Sequence, residues 1–180
     1  NGDSGIMASI LKVNTIQDAT NSNTAQTIDS TGRILTPARP AFRARMSDGT
    51  GSTGVSGTLV FETEDFDIGG NYDTSNGRFT APIAGIYWLS FDSVTATDTS
   101  GSSNATTDVV YVDFQKNGTS IEGSRSYEYH VGGNWQTSIV RTDILSLSAS
   151  DYITVNFGSE HAFFNNDNSY DPVFQGFLIG

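Results

Sequence analysis

Apolar residues along this chain alternate with polar ones or gather in short unbroken runs, and no stretch repeats at helical spacing. Phe42, Ala44 and Met46 alternate with Arg43 and Arg45, which predicts a strand with one face inward. Thr58–Phe61 ends a second strand. An acidic, glycine-bearing turn follows, and Asn71-Tyr72-Asp73, Gly77, Phe79 and Ala81-Pro82 then lead to Gly85–Phe91, an apolar, aromatic run. Further strands are predicted over Val110–Lys116, Ser124–Val131, Trp135–Thr142, Asp143–Leu147, Tyr152–Phe157 and Phe174–Ile179. Polar stretches separate them: Ser47–Gly54, Thr95–Thr107, a hairpin turn at Gly132-Gly133-Asn134, and His161–Pro172. Short strands with apolar faces, joined by polar turns, predict an all-β fold of two antiparallel sheets packed as a sandwich.

The N-terminal part reads differently. Residues 1–6 are set aside as an expression remnant or disordered extension, because Met7-Ala8-Ser9 looks like a natural start. Residues 7–38 hold a short strand over Ile10–Ile16, a polar loop, and a tight hairpin of Thr27-Ile28 with Arg33–Leu35. Its aliphatics, Ile10, Val13, Ile16, Ile28 and Ile34 among them, are too few to offset the entropy of ordering that many residues alone. This segment is therefore expected to be an extended β arm that orders against a partner. Pro37 and Pro40 mark its boundary with a main domain over 39–180.

The last strand points to self-association. Val173, Gln175, Phe177 and Ile179 share one face, and Phe174, Gly176 and Leu178 the other, so both faces are largely apolar. Tyr87-Trp88-Leu89 behaves in the same way. Either loops cover these strands or a second subunit does. We prefer the subunit, with Tyr87, Leu89, Phe174, Phe177 and Ile179 as the expected interface.

Three segments carry a family resemblance. Phe61, Asp67, Tyr72, Phe79, Gly85, Tyr87 and Phe91 are spaced as in the globular head shared by complement C1q and tumour necrosis factor, with Leu89 where that family usually has phenylalanine. Val110–Gly118 resembles its strand ending in a Lys-Asn-Gly turn, and Phe174–Ile179 its closing strand. The resemblance implies a two-sheet jelly roll that assembles as a homotrimer. The wording of the arm, Met7–Gln17 followed by Thr27–Arg33, resembles the opening of fibre and appendage proteins of tailed bacteriophages.

Composition narrows the function. A net charge of −11 with only 9 Lys and Arg argues against nucleic acid and against an anionic membrane surface. No apolar run is long enough to insert in a bilayer. Absence of cysteine removes disulfides and thiolate chemistry and leans toward a bacterial or viral source. With His130 and His161 as the whole histidine complement, general-base catalysis has few options, and no enzyme is expected. Asp167 and Asp171 offer hard oxygen ligands in a loop for a structural Ca²⁺, the one cofactor considered. Tyr127, Tyr129, His130 and Trp135 flank one turn, while Phe163, Phe164 and Tyr170 sit in another loop. Aromatic faces beside Asn and Asp acceptors suit the rings of a glycan, although any single one of these could belong to the core.

The expectation is thus a homotrimeric virion protein of a tailed bacteriophage. Its arm would contact other virion proteins, and its C1q-like head would face outward to a host surface glycan. Two alternatives are a capsid decoration or cement protein and a secreted C1q-like adhesin or lectin.

Overall fold

A computed structural model describes residues 11–46, 56–97, 108–130, 136–159, 162–164 and 171–180. Among them every regular element is a strand. Contacts divide the chain into two units, Asn1–Arg39 and Pro40–Gly180.

The first unit is a three-stranded antiparallel sheet of β1 (Thr15–Gln17), β2 (Thr24–Ile28) and β3 (Ile34–Leu35). Side-chain carboxylates shape its turns. Asp29 accepts bonds from the amides of Thr31 and Arg33 and pairs with the Arg33 guanidinium at 2.6 Å. Asp18 accepts from the amides of Thr20 and Asn21. Such self-bonding Asp residues fix turns independently of any core.

The second unit is a sandwich. One sheet runs in the order β13-β9-β16-β4-β6, with β15 on β9: Gln136–Leu147, Gly85–Thr97, Val173–Leu178, Ala41–Arg45, Thr63–Ile68 and Ala162–Phe164. The other runs β11-β10-β14-β8-β7: Thr119–Ser120, Asp108–Lys116, Tyr152–Ser159, Arg78–Thr80 and Tyr72–Asp73. In that sheet β12 (Ser126–His130) also pairs with β10, and β5 (Ser56–Thr58) with β14. All the pairings are antiparallel.

Alternation decides which residues make the core. Phe42, Phe61, Phe79, Phe91, Phe114, Phe157 and Phe174 are fully buried between the sheets. Their rings pack in stacked and edge-on pairs, such as Phe42 with Phe79 at 4.6 Å and Phe42 with Phe174 at 4.9 Å. The Tyr72 hydroxyl accepts from the Phe61 amide inside this core, and burial pushes its ionisation well above the ordinary tyrosine range. Gly176 lets β16 pass close to β9, since a Cβ there would meet Leu89 Cδ2 at 2.4 Å.

The strand pattern departs from expectation in several places. The first strand among the described residues is Thr15–Gln17 instead of Ile10–Ile16, and β9 continues to Thr97, into a stretch expected to be loop. Trp135–Thr142 and Asp143–Leu147 are not two strands; β13 runs unbroken along β9 from Gln136 to Leu147. The acidic stretch expected as a turn forms β6, in which Glu64 and Asp65 are exposed while half-buried Asp67 accepts a bond from the Tyr72 amide. Leu59–Phe61 lie beyond the end of β5, with the Leu59 amide bonded to the Val155 carbonyl. Ala162–Phe164 pair with β9 inside a segment expected to be loop.

Candidate functional site

The outward face of the six-stranded sheet has two zones. In one row of the register Ile144, Trp88, Phe177, Ala41 and Ile68 lie side by side across β13, β9, β16, β4 and β6. Trp88 and Phe177 pack ring against ring, and Ile144, Phe177 and Ile68 are exposed. Ile86, two residues along β9, and Ile179, next to the end of β16, extend the band. Most solvated sheet faces are polar. This one is apolar across its width.

This geometry corrects the expected interface. Tyr87, Leu89 and Phe174 are 0% exposed within a single subunit and belong to the core. They occupy the opposite face of the same strands, since successive side chains alternate. Phe177 and Ile179, each 41% exposed, remain on the outward face. Trp88, Ile144 and Ile68 are the neighbours that sequence reasoning left out.

The second zone, toward the other end of the sheet, is mixed, with charged side chains set among Val94, Val140 and Val173. A recess of about 320 Å³ is lined by Arg43, Asp92, Ser138, Asp171 and their neighbours. Asp65 pairs with Arg43 and also with Arg45 at 3.2 Å; Arg45 reaches Asp171 at 3.0 Å. Burial raises the Asp92 pKa, partly offset by the positive charge of Arg43. One carboxylate oxygen of Asp171 is buried without a partner. Of the two residues considered for calcium, Asp171 is thus engaged with Arg45, and Asp167 lies outside the described residues. Among the described residues no cluster of three possible metal ligands occurs.

The opposite sheet presents an aromatic face. β12 pairs with β10 so that Tyr127 lies beside Tyr111 and Tyr129 beside Val109. Tyr127 and Tyr129 are 53% and 62% exposed. Tyr111 lies flat on Gly158, where a Cβ would sit 2.3 Å from its ring atoms. From the other side the Arg125 guanidinium stacks on Tyr111 at 4.2 Å. Arg125 also gives two bonds to Oδ2 of buried Asp113, whose Oδ1 accepts from Asn156. Hydrogen bonds to Tyr127 and Asp113 hold the Arg125 ionisation above its usual range. The result is a ledge on which Tyr127, tied to Tyr111 and Arg125, and Tyr129 expose their rings.

Sequence reasoning found Tyr127 and Tyr129 but missed Tyr111, Arg125 and Gly158. Backbone positions place His130 at the end of β12 and Phe163 and Phe164 in β15. Trp135 and Tyr170 lie outside the described residues. Of the arm aliphatics, Ile16, Ile28 and Ile34 are exposed and Val13 is half-buried. Ile10 lies outside the described residues.

The electrostatics bear on ligand class. Between Pro40 and Gly180 there are six cations. Arg43, Arg45, Lys116, Arg125 and Arg141 are each paired with a carboxylate, and Arg78 stacks on Tyr152 at 4.3 Å. No basic patch is left for phosphate or sulfate.

Comparison with known proteins agrees with this geometry. A family profile described as C1q domain matches residues 41–179. Human and mouse complement C1q tumor necrosis factor-related protein 3 are each 27% identical over 121 residues, which is 67% of this chain and 44% of theirs. The chain therefore spans less than half the length of those relatives. The globular domain of zebrafish complement 1qA protein superposes with a TM-score of 0.50 at 16% identity, covering 78% of this chain and 98% of that one. That likeness concerns the fold.

Proposed function

The chain belongs to the C1q domain family, and from that membership we propose that it is a non-catalytic, homotrimeric recognition protein. Its head binds a neutral glycan on the tyrosine ledge, and its arm holds it in a bacteriophage virion. The observation that carries the reading is the Trp88–Phe177 band, an apolar strip on a sheet whose other face is already filled by the core. Covering one such aromatic or aliphatic side chain contributes about 1.5–3 kcal/mol, so three copies meeting on this face gain substantially. Threefold display then multiplies a weak single-site affinity through effective concentration.

The glycan half of the proposal rests on Tyr127 and Tyr129, which offer ring faces, and on the engaged cations, which disfavour an anionic ligand. The virion half rests on the arm, a separate unit whose wording resembles phage appendage proteins. Light scattering on the full chain tests the trimer, and a mass of one subunit at micromolar concentration refutes it. Binding of the trimer to an array of neutral glycans tests recognition. Immunogold labelling of phage particles tests location, and label on the head without glycan binding would favour a cement role.

A second reading, a secreted C1q-like adhesin or lectin, is favoured by the human, mouse and zebrafish origin of the similar proteins. It keeps the trimer and the ledge and removes the virion. Finding the protein free in culture medium, and absent from particles, would decide for it.

A further inference from the structure

We propose that the isoleucine face of the N-terminal sheet packs against the same face in two further copies of this chain, so that the arms form a bundle of their own. This rests on the trimeric reading of the head and adds a second, separate contact to it.

The register defines the face. Ile16 pairs with Gln26 and Ile28 with Ile34, and Gln26 and Ile28 point the same way two residues apart. Ile16, Ile28 and Ile34 therefore share one side of the sheet, and all three are exposed. A sheet of this size with its apolar side in water is marginal. Its turns, by contrast, are firmly specified by Asp18 and Asp29, so the face is shaped before anything covers it.

Two observations identify the occupant as another copy. The face carries no charge: Gln26 is its polar member, and the adjoining Asp29 and Arg33 neutralise each other. For a chain of net charge −11, such a neutral strip is a place where copies meet without repulsion. The second observation is where the arm joins the head. Pro40 accepts a bond from the Leu178 amide, and Ala41 lies in the apolar row of Trp88 and Phe177. Heads joined through that row bring three arm roots to one place, which raises the local arm concentration to about millimolar.

The chain lacks cysteine, so single replacements report the contact directly. Ile28→Cys and Ile34→Cys on the proposed face, and Leu35→Cys on the other side of the sheet, are made in the whole chain and mildly oxidised. The expected result is a disulfide-linked pair on a non-reducing gel for Ile28→Cys or Ile34→Cys, unchanged on dilution, with Leu35→Cys staying single. Light scattering is run on each. A trimer mass with no cross-link at either face position, or with equal cross-linking at Leu35, overturns the arm contact and leaves the head trimer standing. A monomer mass overturns both.

Discussion

Trp88 on β9 and Phe177 on β16 pack with their ring centroids 5.3 Å apart and their planes tilted by 34°, on the side of the sheet turned away from the core. Phe174, three residues earlier on the same strand, is wholly buried on the other side. Aspartate at the two positions should therefore do different things. Phe177→Asp is expected to give a folded monomer, with native far-UV circular dichroism and one-third of the parent mass by light scattering. Phe174→Asp should fail to fold, since even truncating such a phenylalanine to Ala costs about 3–5 kcal/mol. A Phe177→Asp protein that stays trimeric would move the interface elsewhere.

The Arg125–Asp113 pair is asymmetric: the Asp113 side chain is buried and that of Arg125 is partly exposed. Removing the arginine strands a buried carboxylate, whereas removing the aspartate frees a guanidinium that water can reach. Arg125→Ala is expected to lower stability by about 1.5–3 kcal/mol in urea unfolding, and more than Asp113→Asn does. The reverse order would mean that the Asn156 amide and water satisfy the Asp113 carboxylate once the arginine is gone.

Gly158 makes room for the Tyr111 ring. Gly158→Val should cost about 1–3 kcal/mol through overpacking. Adding Tyr111→Ala should return part of that loss, and a double-mutant cycle on denaturation midpoints reads the coupling. Additive effects would show that the ring and the glycine are independent.

Two carboxyls predict opposite responses to pH. Burial raises the Asp92 pKa, so the folded state binds the proton more tightly and stability falls as pH rises through that raised value. Asp92→Asn is expected to raise the melting temperature at pH 7, with the gain vanishing below about pH 4, near the unfolded carboxyl value. Asp151 is held down to about 2 by Lys116, Asn117 and the Ser148 amide. Its contribution is present above the unfolded value and disappears as pH falls through about 2, a trend that Asp151→Asn should flatten in melting curves taken across acid pH.

For the ledge, Tyr127→Ala and Tyr129→Ala should each weaken binding of the glycan that scores on the array. An aromatic contact is worth about 0.5–1.5 kcal/mol, a roughly two- to twelvefold loss per site that three linked sites amplify. Subunit mass should not change. Full binding by the double variant would exclude the ledge.

Sequence pattern carried most of the fold, because period-two alternation marks Phe42, Phe79, Phe114 and Phe157 as inward without any structure. It could not say which face of a strand apolar on both sides meets the core. Tyr87 and Leu89 were assigned outward for that reason, while Trp88, between them, is the residue on the outside. The ledge was half legible. Tyr127 and Tyr129 alternate in plain view, but Arg125 reads as an ordinary solvated charge. Its partner Asp113 is twelve residues away, and only the pairing of β10 with β12 brings the two together. Gly158 did leave a signal, a glycine inside an alternating strand, which marks the close approach of another group.

Pro40 has a mechanical consequence. Tension drawn through the arm enters the head at the start of β4, which is bonded along one edge to β16 and along the other to β6. A pull along that strand loads its rungs together in shear instead of peeling them singly. A head tethered at this point is built to withstand drag, and single-molecule extension from residue 1 should meet a higher rupture force than extension across the β12 edge.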